Sequence, residues 1–127
     1  MIYIESDKMR TIFEIEPFTA PRMVKSDAWK KRDCVMRYFE SRNALKLLAN
    51  SKGFFLEEKY IIEFHISMPD SWSKKKRKMF CGTAHRQKPD IDNLIKAFQD
   101  SLYEDDAFIN DVHAIKLWSE IGYIVVR

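Results

Sequence analysis

The stretch YIIEFHISM, residues 60–68, alternates without a break. Tyr60, Ile62, Phe64, Ile66 and Met68 fall on one side of an extended chain, and Glu63, His65 and Ser67 fall on the other. Successive side chains of a strand point to opposite faces, so this segment reads as a strand with one apolar face. Pro69 ends it. An apolar strand face has to be covered, which commits the chain to a sheet with another layer packed against it.

Helical periodicity supplies that layer. A helix is predicted from about Ala28 to Asn50, capped by Ser26 or Asp27 and stopped near Gly53. Its apolar stripe is Val35, Tyr38, Phe39, Leu45, Leu48 and Ala49, with Lys30, Lys31, Arg37 and Lys46 facing away. A second helix is predicted from Asp92 to about Leu102, burying Ile91, Leu94, Ile95, Phe98 and Leu102. RTIFEIE (10–16) reads as a first strand, after which Pro17 and Pro21 interrupt regular pairing. VHAIKLW (112–118) and IGYIVVR (121–127) read as closing strands joined by a tight turn at Ser119 and Glu120. Residues 70–89 show little apolar periodicity and make a long connection, a kind that often carries function. The expectation is one α+β domain over residues 1–127 in β-α-β-α-β-β order, with two main helices packed on a small mixed sheet.

Several classes of function are set aside early. No apolar run approaches the ~20 residues that span a bilayer, and the opening MIYIESDKMR lacks the apolar core of a signal peptide. Cys34 and Cys81 have no metal-type spacing and read as free thiols of a reducing compartment. The expected location is cytoplasmic, with no membrane partner. No glycine-rich phosphate loop is present, so no nucleotide cofactor is expected.

Charge is more informative. Between Asp90 and Asp111 stand seven carboxylates (Asp90, Asp92, Asp100, Glu104, Asp105, Asp106, Asp111) against the single base Lys96. From Ser71 to Lys88 the balance inverts: Lys74, Lys75, Lys76, Arg77, Lys78, Arg86 and Lys88, with no acid. A chain that segregates its charges in this way is arranging them for a partner.

Pro89 disfavours a helical conformation at Lys88, so the approach to the second helix is expected to be extended. Asp90 and Asp92 can then converge at a helix N-terminus, which favours negative charge. The plain reading is a helix cap with a solvated neighbour. The Glu-Asp-Asp run at 104–106 argues for more, because Asp105 or Asp106 can meet the first pair if the chain turns back after Leu102. Carboxylates crowded without a cation repel by ~4 kcal/mol per close pair at an effective dielectric near 20. An all-oxygen donor set suits Mg²⁺, with Mn²⁺ as a substitute, and supports phosphodiester hydrolysis. Lys96, one turn after Asp92, either pairs with it or stabilises charge at a reacting phosphate.

The basic run reads either as a solvated surface or as a phosphate-binding segment. Trp72 and Phe80 at its borders could stack on unpaired bases. His85 is a loop histidine by its surroundings, with a phosphate contact as the alternative. His65 and His113 fall on strands and carry no chemistry.

KPDIDNLIKAFQDSLYEDD, followed by INDVHAIKLWSE, resembles the RusA family of Holliday-junction resolvases, in its phage-like branch. The family pattern is an aspartate pair in D-[LI]-D-N-L, a lysine four residues after the second aspartate, and a later D-D; here these are Asp90, Asp92, Asn93, Leu94, Lys96, Asp105 and Asp106. The resemblance implies that Asp90, Asp92 and Asp106 are metal-binding and catalytic and that Lys96 is a catalytic lysine. The basic segment supplies the candidate nucleic-acid-binding set, Lys74, Lys75, Lys76, Arg77, Lys78, His85, Arg86 and Lys88. The implied activity is Mg²⁺-dependent endodeoxyribonuclease cleavage of four-way DNA in recombination and repair, by a homodimer. The gap between the helix and Glu104 lacks a hairpin-like insertion found in some members, so the tip geometry differs. Leu94, Phe98 and the edges of the last strands are candidate dimer contacts. Two rivals remain: a branched-DNA or flap nuclease of broader range, and a junction-binding module without activity. A calcium loop of EF-hand type lacks its ligand spacing and glycine, and a sugar-nucleotide transferase lacks room for its nucleotide domain.

Overall fold

Strand β2, Lys59–Ser67, forms where the alternation predicts it and buries Tyr60, Ile62, Phe64 and Ile66. In the computed structural model, which describes residues 10–22 and 33–127, β2 is an inner strand of a four-stranded sheet. The others are β1 (Thr11–Phe13), β3 (Asp111–Ser119) and β4 (Tyr123–Val126), and the sheet order is β1-β4-β2-β3. β2 and β3 run parallel, in register from Lys59 opposite Asp111 to Ser67 opposite Ser119. β4 is antiparallel to both β2 and β1, which makes the sheet mixed.

Three helices are described: α1 (Asp33–Ser51), α2 (Lys74–Phe80) and α3 (Ile91–Leu102). The fold class and the order of the main elements are those expected. The short α2 is additional, and lies inside the connection that lacks apolar periodicity. Nothing on it is buried, so no apolar stripe announces it. It forms because Ser73 Oγ accepts the Lys76 N–H at 3.2 Å, capping a run of good helix formers. Gly82, at φ 82°, then reverses the chain and donates its N–H to Trp118 O.

The closing strands do not pair with each other. They flank β2 on opposite sides, so the chain after Ser119 crosses the end of β2. That crossing brings Gly122 onto Glu16. A Cβ on Gly122 would collide with the Glu16 carboxylate, which itself accepts the Ser67 N–H at 3.1 Å.

α1 and α3 cover one face of the sheet. Phe13, Leu45, Ala49, Leu56, Ile62, Phe64, Leu94, Phe98, Ile124 and Val126 form the shared core. Ser26, Asp27, Ala28, Lys30 and Lys31, with the predicted start of α1, lie outside the described residues. Val35, Tyr38, Leu45 and Ala49 make the buried stripe of α1. Phe39, expected in that stripe, is 43% exposed and leans on the Tyr38 ring at 5.3 Å. One residue turns a helix by about 100°, so Phe39 cannot face the sheet together with Tyr38. Leu94 and Phe98, candidates for a dimer contact, are 0% and 1% exposed and belong to the core.

The opposite sheet face carries polar groups. Glu63 lies 3.0 Å from His65 Nε2 and accepts from Arg127 Nη2 at 2.9 Å, and the His65 ring stacks on Tyr123. Burial raises the Glu63 carboxyl, but hydrogen bonds and charge from His65 and Arg127 outweigh it and hold the group below its ordinary value.

Phe64 sits at the centre of the buried face, 1% exposed. Phe64→Ala should lower unfolding free energy by about 3–5 kcal/mol. Leu47→Ala, at a position 70% exposed, should change it by less than about 0.5 kcal/mol. Urea denaturation of the two variants side by side tests the placement of the core.

Candidate active site

Because β2 and β3 are parallel, the chain has to cross from Ser67 back to Asp111. This crossover holds α2, α3 and every residue singled out for chemistry. Its first half returns along the edge of β3: Ala84 bridges Leu117, and His85 donates its N–H to Lys116 O. The chain then passes Gln87 and Pro89 and enters α3.

Asp90 precedes the first turn of α3 with φ −72° and ψ 145°, extended as expected, and its side chain makes no cap bond. Asp92 follows in that turn. Both Asp90 oxygens accept from Lys88 Nζ, at 2.9 and 2.8 Å. This hydrogen bond holds the Asp90 carboxyl below its ordinary value, with charge from Lys88 and Lys116 adding to it. The Lys88 ammonium is raised by the Asp90 hydrogen bond and charge, and more weakly by Asp92. Asp90 alone bonds that ammonium, and Asp92 adds only a weaker charge effect.

Lys96 is exposed one turn beyond Asp92 and forms no ion pair with it. The plain reading of Lys96 as an i,i+4 partner is therefore not realised. Asp92, Lys96 and Gln99 are spaced four and three residues apart along α3, on one stripe of its surface. Asp106 joins this stripe from the following loop, accepting from Gln99 Nε2 at 2.8 Å through Oδ2. Gln99 Oε1 in turn accepts from the Tyr60 hydroxyl at 2.6 Å. The neighbouring Asp105 is engaged differently: it is exposed and accepts the Ala107 N–H at 3.0 Å in a local turn. The geometry thus separates two aspartates that spacing alone leaves open.

The donor set fits a hard divalent cation in part. Asp90 and Asp92 offer oxygens at a helix N-terminus, and Asp90 already binds the Lys88 ammonium. Asp106 reaches the same helix face but is held about two turns further along. Among the described residues, no three His, Cys, Asp or Glu side chains stand close enough to enclose a metal ion.

Of the basic residues, Lys74, Lys75, Lys78, Arg86 and Lys88 are exposed. Arg77 is committed elsewhere: it donates to Pro69 O at 2.8 Å and to Glu120 at 3.0 Å, fastening α2 to the end of the sheet. Lys76 Nζ lies 4.2 Å over the Trp72 ring. Trp72 packs on Phe80 and Trp118, so these rings form a satellite core beneath α2 rather than a free stacking platform. His85, expected as a candidate nucleic-acid contact, is instead only 5% exposed and lies against Trp118 at 4.1 Å. Burial and the charge of Lys116 lower its pKa, and its buried Nδ1 has no partner. Its place in the strand-edge bridge removes it from the surface, where a phosphate would have to reach it.

Lys116 is the residue that sequence reading missed. Its Nζ donates to Gln87 O and Pro89 O, both at 2.7 Å, tying the segment that delivers Asp90 to β3. The signal was present: Lys116 shares its strand parity with Val112, Ala114 and Trp118, so it is a lysine on the helix-covered face.

An acidic pair beside exposed lysines is an arrangement for a polyanionic substrate. The family model described as endodeoxyribonuclease RusA matches residues 18–127, nearly the whole chain. The chain belongs to the RusA family of endodeoxyribonucleases, a family that acts on Holliday-junction DNA. No curated protein matches the chain. Among the described residues, no helix is long and apolar enough to cross a membrane.

Lys116→Met keeps the stem and removes both carbonyl contacts. Hydrogen bonds to charged groups contribute about 1.5–3 kcal/mol, and this variant should lose a similar amount of stability. Amide exchange at His85, whose N–H donates to Lys116 O, should also accelerate; unchanged exchange there would show that the segment is held by other means.

Proposed function

We propose that this chain is a Mg²⁺-dependent, structure-selective endodeoxyribonuclease that resolves four-way DNA junctions as a homodimer, in recombination and repair. The observation that carries the reading is the placement of Asp90 and Asp92 together at the start of α3, with Asp90 bonded to the exposed Lys88, within a chain of the RusA family. The chemistry is hydrolysis: a water oxygen bonds to phosphorus, one P–O ester bond breaks, and the departing oxygen takes a proton. Asp90 and Asp92 would hold the cation, with Asp106 as the further donor that the family pattern implies; Mg²⁺ or Mn²⁺ bound there would supply charge neutralisation and an activated water. Lys96, on the same helix stripe, stabilises negative charge growing on the phosphate oxygens. The exposed lysines of α2, with Arg86 and Lys88, hold neighbouring phosphates. Lys88 has a double position, since a phosphate entering the site competes with Asp90 for its ammonium. A twofold dimer presents two such sites to symmetry-related strands, which suits paired cuts.

Asp92→Asn preserves size while removing a charge. Cleavage of a synthetic immobile four-way junction should fall by at least the roughly 10–100-fold that outer-shell changes at metal sites cost. Binding of the same junction in EDTA should persist. Lys96→Ala should lower the rate by roughly 10²–10³ without weakening binding. Normal cleavage by Asp92→Asn would remove the basis of the reading.

The basic helix makes a separate prediction. Lys74 and Lys75 are the residues to change, because Lys76 is laid on Trp72 and Arg77 anchors the helix. Replacing both with Ala should flatten log affinity against log salt by about 0.9 for each duplex phosphate that the variant no longer neutralises. An unchanged slope and affinity would mean that α2 does not face the DNA.

A further inference from the structure

Where α2 ends and the chain returns along β3, it leaves a cavity of about 400 Å³. α2 supplies Met79 and Phe80 to its lining, the returning segment supplies Ala84, Arg86 and Gln87, and β3 supplies Trp118. The walls are held by the fold itself. Gly82 donates its N–H to Trp118 O at 2.8 Å, and Trp118 donates its own to Thr83 O at 2.9 Å. Thr83 Oγ1 donates to Phe80 O at 2.6 Å, which joins this turn to α2.

The lining has two characters. Trp118 is 5% exposed and Phe80 is half-buried, so the deeper part is apolar. Trp72 packs on both rings, yet both also line the cavity. Arg86 and Gln87 are exposed, and among the described residues neither side chain has a hydrogen-bond or ion-pair partner. Met79 is 63% exposed, and Lys75 stands one turn before it on the same face of α2. An apolar cavity with cations and an amide at its rim suits a planar uncharged ring joined to an anion, which is the chemistry of a nucleotide.

We propose that this cavity receives one unpaired nucleobase of the bound DNA; this rests on the reading of the chain as a nuclease that cuts at Asp90 and Asp92. The base packs against Met79 and Phe80 with Trp118 beneath. Its polar edge meets the Gln87 amide, which offers both donor and acceptor, while Lys75 and Arg86 take the flanking phosphates. Gln87 precedes Asp90 by three residues, so their Cα atoms stand at most about 11 Å apart. The occupant is therefore a nucleotide close to the phosphate that is cut. A base within a continuous duplex has to be unpaired and unstacked before it can enter, and the cost is least where pairing is already lost. The cavity thereby favours branched DNA over duplex.

The test measures binding in EDTA, so that the DNA stays intact and no cation takes part. The probes are a synthetic immobile four-way junction, the same junction with one abasic site moved through the nucleotides around the branch point, and a continuous duplex of equal length. At one position the abasic site should weaken wild-type binding roughly 5–150-fold, the range that stacking of a single base supplies. Ala84→Leu adds apolar bulk to the cavity at an exposed position. It should weaken binding of the intact junction by a similar factor, become indifferent to the abasic site, and bind the duplex like wild type. Met79→Ala should lose part of the same discrimination, and decides the matter should Ala84→Leu fail to fold. Equal wild-type binding of every abasic junction overturns the proposal, as does a folded Ala84→Leu that still distinguishes the abasic site. Equal losses on junction and duplex overturn it too, since they would mean that the rim holds only phosphates. A changed oligomeric mass in Ala84→Leu with discrimination intact would assign the cavity to a second copy of the chain, against the proposal. If the wild-type chain binds the junction no better than duplex and cuts neither in Mg²⁺, the reading as a junction nuclease fails and the proposal fails with it.

Discussion

The parallel pairing of β2 with β3 governs the rest of the molecule. Two parallel neighbours cannot be joined by a hairpin, so the chain must travel back across the sheet before the second strand begins. Here that journey takes residues 68–110, and it carries the basic helix, the acidic pair, the lysine and the later aspartates. The core holds this arrangement in place. Leu94 and Phe98 fix α3 against the sheet, and Arg77 ties α2 to Pro69 and Glu120. The candidate site is thus a consequence of how one strand is paired, not a separate attachment to the fold.

Charge is distributed with the same division of roles. The basic run looks uniform as letters, yet its members do different things. Arg77 is a fastener, Lys76 lies on an aromatic ring, and Lys88 bridges to Asp90. Lys74, Lys75 and Lys78 remain exposed. The acidic run divides as sharply. Asp90 bonds Lys88, Asp92 stays exposed in the first turn of α3, Asp106 is held by Gln99, and Asp105 closes a turn. Lys116 links the two halves: a cation on the helix-covered face of β3, it holds the carbonyls that precede Asp90, and its charge adds to burial in lowering the pKa of His85.

The aromatic residues around α2 show why local reading misassigned some roles. Trp72, Phe80 and His85 sit in a polar segment and look available to a ligand. In the fold they gather around Trp118, at the end of β3, and cover one another. Nothing in residues 70–89 signals that a tryptophan 33 to 46 positions away will meet them.

The sequence by itself determined the strand 60–68, the helix beginning near Asp92, the extended approach through Pro89 and the family pattern of aspartates and lysine. These depend on side-chain periodicity and on the backbone limits imposed by proline, which act over a few residues. Tertiary structure alone decided that β2 separates β3 from β4, that Phe39 is exposed, and that His85 lies beneath the surface. It also decided the choice of Lys116 and Gln99 as the residues that hold Asp90 and Asp106. Each of these joins segments far apart in the chain, fixed by which faces can be buried together and which donors then find acceptors, and no local pattern encodes it.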